Sequence, residues 1–163
     1  MAQIYISIGS NIEPKKYIRN SITALRQQYG QLQISSVYES EAVGFEGDNF
    51  YNLVVGAQTT DTPQQIQQTL RQIEHDNHRE RNTAKFSART LDLDLLLYDD
   101  WISKDESLDI PRDEIEKYAF VLQPLAEIAP HETHPQSKQT YQALWQTYDK
   151  NKQPLWIIDF ELG

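Results

Sequence analysis

Residues 91–98 read Leu-Asp-Leu-Asp-Leu-Leu-Leu-Tyr, and this run constrains the fold more than any other part of the chain. Side chains of a strand alternate between its two faces, so alternating apolar and acidic residues specify a strand with one face in a core. Leu91, Leu93, Leu95 and Leu97 are expected on the apolar face. Asp92 and Asp94 then share the other face, with Cα atoms roughly 7 Å apart. Two carboxylates on one face repel each other and are costly near a core without a counter-charge. Facing water on an open sheet is one resolution. Binding a pair of Mg2+ ions is the other, because hard divalent cations take oxygen ligands, and Mg2+ is commonly held by one or two carboxylates plus substrate phosphates.

The remaining periodicities place this strand in a β-α-β-β-α-β order. Ile4, Ile6 and Ile8 alternate with Tyr5 and Ser7, and Gly9-Ser10-Asn11 reads as a turn. Pro14 opens a helix whose apolar face is Ile18, Ile22, Leu25 and Tyr29, and Gly30 ends it. Leu32, Ile34 and Val37 form a second strand running into Tyr38, a polar loop covers 39–49, and residues 50–58 form a third strand. Thr62-Pro63-Gln64-Gln65 carries an N-cap, a proline at the first helical position and the glutamine of a capping box. Ile66, Leu70 and Ile73 supply that helix's buried face, and residues 78–87 form a polar, basic loop. After the acidic strand come a short helix over 111–117, an apolar segment over 120–128 broken by Pro124, a helix over 141–148 and a last strand over 155–160. The expected fold class is α+β. It has a ferredoxin-like core, a largely antiparallel sheet with helices packed on it, and a C-terminal helical extension, as a single domain over 1–163.

Composition narrows the function. At 163 residues the chain fits one core of ordinary size. No apolar run approaches the roughly 20 residues of a membrane span, and no signal-like start is present, so we expect a cytoplasmic protein. The absence of cysteine excludes disulfides and thiolate metal sites. A net charge of −9 argues against general nucleic-acid binding. Against that background Arg71, Arg79, Arg81 and Arg89 fall within 19 residues, either as a solvated helix end or as a local anion site. Carboxylates for metal beside guanidinium groups for phosphate are the pairing that phosphoryl transfer needs. The P-loop and protein-kinase signatures are absent, as is any nucleophile elbow. His131 and His134 flank a Pro-bounded polar stretch with no third ligand and read as a solvent-exposed loop rather than a zinc site.

The ordered pieces Ile8-Gly9-Ser10-Asn11, Ser36-Val37-Tyr38, Phe50-Tyr51-Asn52, Ile73-Glu74, Arg89-Thr90-Leu91-Asp92-Leu93-Asp94 and Phe120-Val121-Leu122-Gln123-Pro124-Leu125 resemble the 6-hydroxymethyl-7,8-dihydropterin pyrophosphokinases. The resemblance runs from about residue 4 to 130, and the hexapeptide ending in Asp94 is its most specific element. It implies a folate-synthesis enzyme that binds ATP with two Mg2+ ions at Asp92 and Asp94 and moves diphosphate to a pterin hydroxymethyl group, releasing AMP. Arg79 and Arg89 match catalytic arginines, and Arg81 another arginine of the same loop. Glu74 and Leu95 match nucleotide-site positions. Arg71 and Arg112 stand where the nucleotide site has other polar residues. Ser40, Ala42, Val43, Phe50, Asn52, Phe86 and Phe120 match the pterin site. The loops over 40–50 and 79–90 are expected to close over the two ligands. The implied partners are ATP and a pterin, with no nucleic acid, no membrane and no second subunit.

The departures from the family pattern cluster. Phe86-Ser87-Ala88-Arg89 stands in place of Trp-Gly-Pro-Arg, Arg112 in place of a histidine, and Tyr118 in place of an arginine. They leave open a pterin- or nucleotide-binding relative with little catalysis, or an enzyme with a changed pterin acceptor. An unrelated Mg2+-dependent ferredoxin-like protein is a third alternative.

Overall fold

The computed structural model describes residues 1–41, 47–78 and 90–161. Its elements follow in the order β1 (Ala2–Ser10), α1 (Pro14–Tyr29), β2 (Gln33–Ile34), β3 (Val37–Ser40), β4 (Phe50–Thr59), α2 (Pro63–Asp76) and β5 (Asp92–Tyr98). Beyond these come β6 (Ser103–Lys104), β7 (Asp109–Ile110), α3 (Glu114–Lys117), α4 (Ala119–Ile128), α5 (Tyr141–Thr147) and β8 (Leu155–Ile158). The main sheet runs β5-β1-β4-β3-β8, with β2 also pairing with β4, and every pairing in it is antiparallel. The first six expected elements are present in order. Among the described residues, no helix is long and apolar enough to cross a membrane.

The local signals explain the helix ends. Thr62 Oγ1 accepts from the Gln65 backbone N–H, and Gln65 Oε1 accepts from the Thr62 N–H, so two orphan donors of α2 are satisfied reciprocally. Gly30 closes α1 at φ 78, a conformation that costs glycine little, with its N–H on the Arg26 carbonyl at 2.9 Å.

Both faces of the sheet are covered. On one, Ile4, Ile6 and Ile8 of β1 and Leu53 and Val55 of β4 pack with Ile18, Ile22 and Leu25 of α1 and Ile66 and Leu70 of α2. On the other, Tyr5, Val54, Leu96 and Leu97 pack under Val121, Leu122 and Leu125 of α4. Burying each such aliphatic side chain contributes about 1.5–3 kcal/mol.

Four sequence expectations are corrected. Along β5, Ile6 pairs with Leu95 and Tyr5 with Leu97, so Leu96 is an extra residue. This bulge turns Leu97 to the α4 face, where alternation had put it with Leu91, Leu93 and Leu95. The expected second strand is split at Ser35, whose Oγ accepts from the Val54 N–H at 3.0 Å in place of a ladder carbonyl. Pro124 does not break its segment: α4 continues through it, because burial of both flanking turns offsets the lost hydrogen bond. The 103–110 hairpin, β6 with β7, was not foreseen. The polar strip 39–49 also begins later than expected, since β3 extends through Ser40.

Candidate active site

Register builds the site. Gly9 of β1 pairs with Asn52 on one side and Asp92 on the other, and Tyr38 pairs with Asn52, so Tyr38, Asn52, Gly9 and Asp92 form one row across four strands. Ser7 pairs with Val54 and Asp94 in the next row on the same face. Directly opposed residues have Cα atoms about 4.5–5.5 Å apart. Both aspartates are half-buried, on the face opposite Leu93 and Leu95. The row needs glycine at its centre: a Cβ on Gly9 would lie 2.8 Å from Asn52 Oδ1. Asn52 is correspondingly well packed, at 8% exposure.

A cation stands beside the acids. Arg112 approaches Asp94, Nη2 to Oδ1, at 4.0 Å. Its orientation is set by Glu114, which accepts from Nε at 2.8 Å and Nη2 at 3.2 Å. Burial alone would lower the Arg112 pKa, but Asp94, Glu114 and Asp109 outweigh it and raise the pKa, keeping the guanidinium charged. Lys104 ties down the same turn, donating to the Pro111 carbonyl at 2.6 Å and pairing with Asp109 at 3.1 Å and Asp113 at 3.6 Å.

The other sequence-derived nucleotide residues are spread out. Glu74 is buried, and its Oε2 accepts from the Leu93 N–H at 2.9 Å, capping the outer edge of β5 between the two aspartates. Leu95 lies in the core on the face away from them. Arg71 is exposed on α2, the helix that covers that same far face. Arg79, Arg81, Phe86, Arg89, Ala42 and Val43 lie outside the described residues, as does most of the two expected closing loops.

Four of the pterin candidates share the α4 side. Ser40 pairs with Phe50 at the start of β4, two residues from Asn52, and Ser40 lies with Phe120 of α4 in a cleft of 230 Å³. Tyr118 stacks on Phe120, with ring centroids 5.0 Å apart and planes 11° apart. The aromatic that replaces the family arginine therefore packs against a pterin candidate. Glu41, Lys152, Gln153, Pro154 and Trp156 also line this cleft. Sequence reasoning missed all five. The last four are more than a hundred residues from Ser40 and follow no pattern that points to a ligand.

The expectation of a solvent-exposed loop fails for His134. It is 1% exposed, Nδ1 accepts from the Gln136 and Ser137 N–H groups at 3.1 and 3.2 Å, and Nε2 lies 3.3 Å from Glu116 Oε1. Its partners are backbone and carboxylate. No group of three or more His, Cys, Asp or Glu able to hold a metal occurs among the described residues.

The chain is similar to known proteins in sequence and in fold. The profile of the 7,8-dihydro-6-hydroxymethylpterin-pyrophosphokinase (HPPK) family matches residues 5–130. The 2-amino-4-hydroxy-6-hydroxymethyldihydropteridine pyrophosphokinase of Aquifex aeolicus is 36% identical over 137 residues, 83% of this chain and 85% of that protein. Its Bacillus subtilis counterpart is 35% identical over 128 residues, 76% of each. The crystal structure of Plasmodium falciparum HPPK-DHPS superposes with a TM-score of 0.69 at 14% identity, and it covers 91% of this chain. This chain spans 44% of that longer one, so the likeness speaks for the fold alone. The residues matched, and their share of the chain, make this protein a member of the 7,8-dihydro-6-hydroxymethylpterin-pyrophosphokinase family.

Proposed function

We propose that this chain transfers the terminal diphosphate of ATP to the hydroxymethyl group of 6-hydroxymethyl-7,8-dihydropterin, releasing AMP, as a step of folate synthesis. The observation that carries this reading is the shared sheet face on which Asn52 and Asp92 flank Gly9 and Asp94 stands one row on. The family match over 5–130 favours it over an unrelated ferredoxin-like protein.

The donor set fits a hard divalent cation, since two half-buried carboxylates face the same way. Mg2+ ions bound there would neutralise the triphosphate as charge moves toward AMP. Asp92 and Asp94 fix where the triphosphate lies. Arg112 presents a guanidinium beside them, and Arg79, Arg81 and Arg89 are assigned to the same phosphates. Glu74 steadies the outer edge of β5 between the two aspartates, while Leu95 and Arg71, on the far face of the sheet, support the nucleotide side only from behind. Asn52 reads the polar edge of the pterin, Phe50, Phe86 and Phe120 give it aromatic faces, and Ser40, Ala42 and Val43 line its loop side.

The bond from the hydroxymethyl oxygen to the β-phosphorus forms as the bridge between the α- and β-phosphates breaks. AMP leaves with the bonding pair, and the hydroxyl proton passes to water. With no covalent intermediate to make, the protein's task is positioning and charge neutralisation. The same reading puts the enzyme in the cytoplasm as a monomer.

The test mixes the chain with ATP, Mg2+ and the pterin and follows AMP. Asp92→Ala combined with Asp94→Ala should cut AMP release about 10³-fold or more, the loss of several kcal/mol of charge stabilisation. It should also abolish Mn2+ binding measured by spin resonance. Undiminished turnover in that variant rejects the metal assignment, and no AMP from the unaltered chain rejects the reaction.

A further inference from the structure

Two walls of the cleft come from opposite ends of the chain. Ser40 ends β3 and Phe120 lies in the first turn of α4, and Lys152, Gln153 and Pro154 close the space between them. Gln153 does more than line it. Its Oε1 accepts from the Ala119 backbone N–H at 2.9 Å. Ala119 is the first residue of α4 and is fully buried, and its N–H has no acceptor within the helix. Tyr118, at the N-cap, gives no side-chain cap, so Gln153 supplies one from 34 positions along. A second tie runs alongside: Tyr148 Oη donates to the Lys117 carbonyl at 2.7 Å. A third joins the same segment to the other wall, where Leu155 of β8 pairs with Ser40. All three ties leave from residues 148–155, outside the 5–130 stretch that matches the family profile.

We propose that residues 148–155 are a working part of the acceptor site, with Gln153 as a positioning residue that sets the Phe120 ring against the Ser40 wall. The inference rests on the pterin reading above and assigns that reading a determinant of acceptor affinity. The argument is mechanical. Phe120 is one residue beyond the capped N–H, so the entry angle of α4 decides where its ring stands. A buried donor that loses its acceptor is costly, and the helix end would move to find water or another partner. Nucleotide binding should be spared, because Asp92, Asp94 and Arg112 sit on β5 and on the turn after β7, held by separate contacts.

The experiment titrates the full chain with 6-hydroxymethylpterin by fluorescence, in the presence of Mg2+ and a non-hydrolysable ATP analogue whose own affinity is measured in parallel. Gln153→Ala should weaken pterin binding about tenfold, the scale of a lost helix cap. Gln153→Glu keeps the accepting oxygen and should restore binding. Tyr148→Phe removes only a surface hydroxyl, folds without it, and should weaken pterin binding by a smaller factor. The analogue's affinity should stay unchanged throughout, and in turnover the acceptor KM should rise while kcat holds. Wild-type pterin affinity in folded Gln153→Ala and Tyr148→Phe overturns the inference and leaves the proposed reaction standing. Failure of the unaltered chain to bind the probe removes that reaction and this inference with it.

Discussion

Arg112 stands between carboxylates with different tasks. Glu114 grips it through two hydrogen bonds and fixes its plane, while Asp94 at 4.0 Å is close enough to attract it without a full hydrogen bond. A guanidinium so placed can turn toward phosphate oxygens once the aspartates are otherwise engaged. Arg112→Ala should weaken binding of an ATP analogue roughly 10–100-fold, the range for a charge-assisted hydrogen bond, and Glu114→Gln by a few-fold. Unchanged analogue affinity in Arg112→Ala would contradict that role. His134 gives a second residue-scale expectation. Burial lowers its pKa, Glu116 partly offsets this, and Lys104 adds to the lowering. The folded state therefore prefers neutral imidazole, which suits an Nδ1 that accepts two backbone N–H bonds. Its contribution is fully present above the ordinary histidine pKa near 6.5 and is lost as pH falls from there toward the lower folded value. Thermal unfolding should show Tm dropping across that window, and His134→Gln should flatten the drop. An unchanged slope in the variant would count against it. At this scale the sequence showed residue types and little of their surroundings: Asp92 and Asp94 were legible from spacing, and the burial of His134 was not.

The elements were legible where their cause is local. A capping box needs four consecutive residues, so Thr62-Pro63-Gln64-Gln65 announces the start of α2 without any knowledge of the sheet. The bulge at Leu96 depends on how β5 meets β1, and no periodicity within β5 contains that information. The same holds for the break at Ser35, which exists because Val54 takes a serine oxygen in place of a ladder carbonyl. Gly9 links the two levels. The sequence marks it as the start of a turn, yet it lies within β1, where its missing side chain makes room for Asn52. Gly9→Ala should cost about 1–3 kcal/mol by overpacking, and should weaken pterin binding because the Asn52 amide must shift. Calorimetry and pterin titration together check this. A variant that loses neither stability nor affinity would show that the close approach is easily relieved.

Across the whole molecule, polar ties between distant residues hold the α4 layer over the sheet. Tyr5 of β1 donates to Glu132, and Tyr38 of β3 donates to Glu127 at 2.6 Å, spanning 127 and 89 positions of chain. Glu127 also accepts from the Ser36 N–H and hydroxyl, both at 2.9 Å. Burial and then the facing carboxylate raise the pKa of each tyrosine, so both stay protonated as donors. β8 extends the sheet beyond β3, and removing residues 149–163 would leave β3 as an unpaired edge. That truncation should cost at least about 2 kcal/mol, or roughly 4–8 °C in Tm for a chain of this length, and should weaken pterin binding. An unshifted Tm would assign β8 no structural weight. The amino-acid order alone determined the alternation of strands and helices, the face shared by Asp92 and Asp94, and the family, because each is written in spacings of a few residues. Tertiary structure alone decided that Arg112 sits beside Asp94, that Tyr118 stacks on Phe120, and that the last third of the chain closes the cleft beside Ser40. Those contacts depend on strand register and helix entry angles, which are set only when distant segments pack together.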